Sequence, residues 1–535
     1  MKYLSSILLL WLCLTLSMAQ DGYFITFTDK NNSPYSLDRP EEFLSIRAIQ
    51  RRAKQNIAVD QSDLPVNPAY IDSLIKYGID VKHTSKWMNG AIVFSSNKAL
   101  MDTLERVPFI KTVERNKPAI STGTSKKMEP VVPLLKSALD SPYGESWLQV
   151  STANGHHLHN NGLKGAGMLI AVIDAGFYKA NELPLTKHLW DNGQVMGTKD
   201  FVNPASNIFN EHYHGMNVLS IIGGKLNQQY MGTATDASFW LLRTEDVHSE
   251  HPIEPDYWIC AAEFADSAGV DIINTSLGYY EFDAPSQSYS YADMNATSRI
   301  SRASDMASSK GMLLVTSAGN EGNNSWHHIG APADAKHCLA IGAVNADSTR
   351  TSFSSFGPSS DGRVKPEISA LGGAVAVQNT SGGISKGNGT SFSAPVISGL
   401  AACLWQAMPD KTAEEIRQLI INSAHLYNTP DYELGYGIPD FNQAYRVDIE
   451  SAPADNTQWK VGPNPFNSRL TLFNSSGPNV TVTIVDILGN IKYRKEHRHQ
   501  KNMVINEVAA FANGIYIVII ENNRSKQHVK VIKSR

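Results

Sequence analysis

Between about Ser141 and Ile449 the chain alternates short β-rich apolar runs with helical patterns, and this restricts the fold more than any other feature. The runs Leu169 to Ile173, Ser238 to Leu242, Val270 to Ile273, Met312 to Thr316 and Leu339 to Val344 are apolar almost throughout. A strand that reads this way is covered on both faces, and parallel sheets achieve that by returning through helices. Helices are expected at Tyr257 to Ser267, Ala296 to Lys310, Ser391 to Met408 and Glu414 to Ala424, the last opened by a Thr412/Glu415 capping box. The block therefore predicts an α/β domain, a parallel sheet flanked by helices. In such sheets functional residues gather at the carboxyl ends of strands.

Two strand ends and two helix starts satisfy that rule. Ala171-Val172-Ile173 runs into Asp174-Ala175-Gly176, an acid leaving a buried strand at a tight turn. The strand Met312 to Thr316 runs into Ser317-Ala318-Gly319-Asn320. The segment His212-Tyr213-His214-Gly215 opens a buried helix. Gly389-Thr390-Ser391-Phe392-Ser393-Ala394-Pro395 places Ser391 at a helix N-terminus, where unpaired N–H groups can hold an anion. Each alone has a plain structural reading: a turn Asp, a Gly-Asn turn, a satisfied core His, a Ser cap. Together they supply a nucleophile, a base, a group to orient the base and an oxyanion donor, which are the parts acyl transfer needs.

In that order, Asp, His, Asn, Ser, the four segments resemble those of the subtilases, the subtilisin-like serine proteases, over roughly Gly165 to Ala444. The resemblance implies that Ser391 attacks a peptide carbonyl, His214 is its base, Asp174 orients His214, and Asn320 binds the oxyanion. It also implies that Ser276, Leu277 and Gly278 bind an extended substrate through their main chain. His214 is chosen over His212 because the glycine and helix onset that follow it match the family segment. The chain departs from the family at Ala175, Met216, Asn217 and Phe392, none of which removes a catalytic group. A metal reading of Glu211-His212-Tyr213-His214 lacks a third ligand. No cofactor is expected; a structural calcium ion is possible but no self-contained loop motif specifies it.

The N-terminus reads as a secretory signal peptide over residues 1–19. Lys2 precedes the apolar run Leu4 to Leu16, and Ser17-Met18-Ala19 supplies the small residues of a cleavage site. The run is short for a membrane anchor, and no later stretch is long and apolar enough to span. Cys13 leaves with the signal, so Cys260, Cys338 and Cys403 allow at most one internal disulfide. Residues 20–140 read as an α+β unit followed by a linker. Strands are expected at Tyr23 to Thr28, Gly90 to Ser95 and Phe109 to Val113, and helices at Glu41 to Lys54 and Pro68 to Tyr77. The stretches Asn89-Gly90-Ala91-Ile92-Val93-Phe94 and Phe109-Ile110-Lys111-Thr112-Val113-Glu114 resemble the subtilase inhibitory propeptide, with a generic ferredoxin-like domain as the rival. The net charge of −4 leaves no basic footprint for nucleic acid.

After the small and polar segment Ser451 to Thr457, the region 458–535 changes to short alternating strands with turn signals at Leu488-Gly489-Asn490 and Asn513-Gly514, which predicts a β-sandwich. Pro463-Asn464-Pro465-Phe466, Asp486-Ile487-Leu488-Gly489 and Gly514-Ile515-Tyr516-Ile517-Val518 resemble the C-terminal sorting domain of the type IX secretion system. A carbohydrate-binding or adhesive β-module is the alternative there. The whole chain thus reads as α/β, a subtilisin-like peptidase domain (141–449) with an α+β propeptide and a C-terminal sorting domain. Its expected partners are protein or peptide substrates, its own propeptide as inhibitor, and the type IX machinery. Its expected place is secreted or at the cell surface, after export through the periplasm. A catalytically silent surface binding protein that keeps the fold is the competing function.

Overall fold

The computed structural model describes residues 20–119, 131–133, 142–451, 459–473, 479–498, 502–521 and 526–534. The predicted signal peptide and most of the two predicted linkers lie outside these residues. The chain forms two compact units, Met1–Tyr445 and Arg446–Arg535.

The first unit is built on a seven-stranded sheet in the order Ile368–Leu371, Leu339–Val344, Leu313–Ser317, Ile272–Thr275, Leu169–Asp174, Ser238–Arg243 and Val195–Asp200. Every neighbouring pair is parallel. All but the edge strand Val195–Asp200 read largely apolar because they are buried on both sides. Ile170 and Val172 enter one core; Leu169, Ala171 and Ile173, pointing the other way, enter a second. Each Val, Leu or Ile so buried contributes roughly 1.5–3 kcal/mol. One face is covered by the histidine helix His214–Gly223 and the helix Thr390–Ala407 of the candidate nucleophile Ser391 (the nucleophile helix), the other by the acidic helix Ile253–Ala268 and the helix Arg299–Ser309.

The nucleophile helix is buried on every side up to Trp405, as a central helix must be. Gly399 allows its close crossing, since a Cβ there would lie 1.9 Å from Thr233 Oγ1. Among the described residues no helix is long and apolar enough to cross a membrane. Cys260, Cys338 and Cys403 are all free and buried.

Residues 20–119, whose sequence resembles a propeptide, form a four-stranded antiparallel sheet, Asp80–Ser85, Gly90–Ser95, Asp21–Phe27 and Ile110–Lys117. Tyr23, Ile25 and Phe27 face its own core with Leu74 and Val93, whereas Phe24 and Ile92 point to the core shared with the acidic helix. The expected helix Glu41 to Lys54 is broken. A short turn covers Pro40–Glu42, Leu44 is buried at the break, and the true helix is Ile46–Lys54, capped where Ser45 Oγ accepts from Ala48 N.

The second unit contains two antiparallel sheets, one of three strands (Lys460–Gly462, Leu470–Phe473, Asn502–Ile505) and one of four (Ile491–His497, Val480–Asp486, Gly514–Glu521, Lys526–Lys533). Leu470, Leu472, Val482, Ile484, Val518 and Val531 make its own core.

Candidate active site

Asp174 is the last residue of its strand, and its main-chain carbonyl accepts from Thr244 N of the neighbouring strand's exit. His214 opens the helix that packs beside it, with Nδ1 2.8 Å from Asp174 Oδ1 and 3.0 Å from Oδ2. The approach depends on Gly215, where a Cβ would lie 2.5 Å from Gly176 O and 2.9 Å from Asp174 Cβ. Ala175 N donates to Asp174 Oδ1 (2.7 Å), so the main chain supports the carboxylate although residue 175 lacks a hydroxyl. Buried Arg243 ties the two loops together: Nε donates to Ala175 O, and a terminal nitrogen lies 3.2 Å from Glu211 Oε2. The Phe392 ring stacks on the His214 imidazole at 5.6 Å. Asp174 thus holds the edge of the imidazole and Phe392 its face.

Ser391 lies in the first turn of the nucleophile helix, behind Gly389. Pro395, four residues on, has no N–H to give the Ser391 carbonyl its regular helical bond. Ser276 Oγ donates to that carbonyl instead (2.9 Å), Asn274 Nδ2 donates to Ser276 Oγ, and Ser398 Oγ donates to Asn274 Oδ1. This polar chain pins the nucleophile helix to the strand that leads into Ser276, Leu277 and Gly278. Asn320 is oriented by the same helix: Thr390 N and Thr390 Oγ1 both donate to its Oδ1, at 2.9 and 3.0 Å. Its Nδ2 is therefore turned to the side where Ser391 lies. A Cβ placed on Gly389 would sit 2.9 Å from Ser391 Oγ and 3.7 Å from both Asn320 Nδ2 and Ser391 N. The space among those three groups is the size of one small atom, and the missing side chain of Gly389 leaves it open.

His214, Ser276, Leu277, Gly278, Asn320 and Ser391 line one cleft. Asp174 stands behind it, only 1% exposed. Among the described residues no direct hydrogen bond joins Ser391 Oγ to His214, a contact that often tightens only with substrate bound. His212 stands outside the cleft's lining; its Nδ1 accepts from His214 N at 3.3 Å, and burial, with the neighbouring His214, lowers its pKa to about 4. At the rim, Tyr279 turns inward and donates to Glu245 Oε1, whereas Tyr280 lines the cleft and stacks on Trp326 at 4.7 Å. Gly389, Thr390, Arg243 and Phe392 were not assigned from the sequence. The Gly-Thr-Ser word held the signal for the first two; no local pattern marks Arg243.

Residues 165–437, just over half of the chain, match the subtilase family. The chain belongs to that family. It is a subtilisin-like peptide hydrolase. Residues 22–130 match the peptidase S8 propeptide domain of Bacteroidota, and residues 460–534 match the secretion system C-terminal sorting domain. The sorting domain marks a secreted or cell-surface protein. Subtilisin NAT of Bacillus subtilis subsp. natto is 27% identical over 358 residues, 66% of this chain and 80% of that protein. The thermostable alkaline protease of Halalkalibacterium halodurans is 25% identical over 355 residues, covering 66% and 82%. Subtilisin of Bacillus pumilus is 28% identical over 288 residues, covering 53% and 91%.

Among the described residues, one group of three carboxylates has ligand atoms within 4.8 Å of one another: Glu245, Glu250 and Glu254. It lies outside the cleft's lining.

Proposed function

We propose that the enzyme is a serine endopeptidase working through Ser391, His214 and Asp174 by way of an acyl-enzyme. The observation that carries the reading is the single cleft in which Ser391, His214 and Asn320 converge, with Asp174 bound to the far edge of the imidazole. His214 takes the proton of Ser391 as Oγ attacks the scissile carbonyl, then gives it to the leaving amine. Asp174 keeps the imidazole in the required tautomer and stabilises the imidazolium. The oxyanion enters the space left by Gly389 and is held by Asn320 Nδ2 and Ser391 N–H. Those donors are fixed before reaction, so no reorganisation is needed when charge develops. The exposed main chain at Gly278 pairs with an extended peptide, a contact that reads backbone more than sequence. The chemistry needs no cofactor. Residues 20–140 act as the inhibitory propeptide, and the type IX machinery reads the C-terminal domain.

A fluorophosphonate probe tests the assignment, because labelling requires an activated serine. The full chain should be labelled after processing, and Ser391→Ala should lose both labelling and peptidase activity while keeping its fold. Asn320→Ala should lower kcat by roughly 10²–10³ with little change in KM. Labelling that survives Ser391→Ala would remove Ser391 from the nucleophile's role. An unlabelled, correctly folded wild-type enzyme would favour the silent binding protein.

A further inference from the structure

Val131–Pro133 of the linker pairs with Ser385–Gly387; among the described residues, the folded part of the proregion, residues 20–119, meets the catalytic block in two places. One is its sheet face, where Ser85 Oγ, Lys86 N and Trp87 N all donate to Glu263 of the acidic helix. This contact is incompletely packed. A groove of about 810 Å³ remains between Phe24, Trp87 and Glu114 on one side and Pro255, Asp256 and Arg299 on the other.

The other place is the helix Ile46–Lys54, whose Arg47, Arg51 and Arg52 reach the C-terminal end of the acidic helix. Arg51 donates to Asp266 Oδ1 (2.6 Å) and to the carbonyls of Val270, Lys310 and Asp266. Arg52 bridges Asp266 and Asp63, each at 2.8 Å. Lys86 also donates to Asp266, and Arg47 pairs with Asp271. The side chains of Arg51, Arg52, Asp63 and Asp266 are at most 3% exposed. An acid in the last turn of a helix opposes the helix dipole, and the acidic helix has no basic residue there to offset it. The proregion supplies those cations.

It also supplies donors for the helix's unpaired carbonyls: Ser45 N to Ser267 O and Arg47 Nε to Gly269 O. Backbone meets backbone at Gly269, where a Cβ would lie 2.7 Å from Ala48 N.

This second contact is at the wrong end of the sheet to touch the cleft. Val270 and Lys310 precede the strands Ile272–Thr275 and Leu313–Ser317, whereas Ser276 and Asn320 follow them. At about 3.3 Å per residue the two ends lie roughly 15 Å apart.

We propose that this arginine clamp on Asp266 is a retention site. It keeps the proregion on the enzyme as a non-covalent subunit after the linker is cut, independently of what occupies the cleft. The proposal rests on reading residues 20–140 as a proregion severed from the enzyme, but not on the catalytic assignment.

The test uses the full chain with Ser391→Ala, which cannot cut itself, and a foreign protease's recognition sequence between residues 120 and 130. After nicking and dilution to low concentration, bound proregion is followed by size exclusion. With the clamp intact it should stay bound for hours, and remain so in about 1 M NaCl, because buried pairs are little screened. Arg51→Gln removes no contact within the proregion and should speed release on the order of 100-fold. Asp266→Asn, made on the enzyme side, should act in the same direction and serves if the Arg51→Gln chain does not fold. An unchanged release rate in the folded variant, or loss of the unaltered proregion within minutes of dilution, would overturn the proposal. Every arm carries Ser391→Ala, so a failure of the catalytic reading leaves this result untouched.

Discussion

Gly389 is the residue whose importance is least visible in its chemistry, since it contributes only an absent side chain. Its φ of 153° is one that side-chain-bearing residues rarely adopt, and an added Cβ would fill the space between Ser391 and Asn320. Gly389→Ala should therefore lower kcat by roughly 10²–10³, the loss typical of one oxyanion donor, while thermal stability falls far less than activity. Turnover close to wild type would place the oxyanion elsewhere.

His212 poses the opposite question, a titratable group beside the site with no part in the chemistry. Its pKa is lowered to about 4, so the fold holds the neutral ring. The stability this lends is complete above the ordinary value of 6.5 and is lost as pH falls through about 4. His212→Gln should leave peptidase activity near neutral pH in place, because the proposed base is His214, and should move acid unfolding to lower pH. Loss of activity in the folded variant would reverse the two histidines' proposed roles.

At the scale of elements, the helix Thr390–Ala407 is tied to the strand Ile272–Thr275 and the turn after it through the hydroxyls of Ser276 and Ser398. Ser276→Ala leaves the buried Ser391 carbonyl without its donor and deprives Asn274 Nδ2 of its acceptor. A cost of about 1–3 kcal/mol is expected, read as a lower denaturant midpoint at unchanged slope, together with a drop in kcat as Ser391 loses its fixed position.

The central elements were legible in the sequence: Leu339–Val344 and Gly90–Ser95 lie where the apolar runs placed them. Strands with weak apolar patterning were not. Val195–Asp200, at the sheet edge, leaves most of its residues partly or fully exposed, and Asp80–Ser85 has Val81 as its single aliphatic residue. The four proposed catalytic residues could be found because turns and helix starts carry local signals. The Arg51–Asp266 pair could not, because its partners are 215 residues apart and each reads as an ordinary surface charge.

At the scale of the molecule, the C-terminal unit has its own core, and all four proposed catalytic residues belong to the first unit. A chain ending near Asn456 should cleave peptides as the full-length enzyme does, since domains with separate cores tolerate separation. In a host carrying type IX machinery the same chain should stay in the periplasm. Peptidase assays on purified protein and on periplasm, surface and medium check both halves. Normal export of the shortened chain would refute the sorting role, and a purified chain without activity would refute the boundary.

The polar chain beneath Ser391 has a kinetic consequence. It joins groups 115 and 124 residues apart, and His214 and Asp174 are separated by 40. Parallel sheets closed by such distant contacts fold slowly, because loop entropy is lost before the contacts form. During synthesis the helix Thr390–Ala407 is among the last parts of its domain to emerge, and on the proposed assignment Ser391 is an ordinary hydroxyl until that helix docks. On refolding, probe labelling should therefore appear after helical signal. The nascent protease is harmless to itself and to its neighbours for as long as its own topology is unfinished.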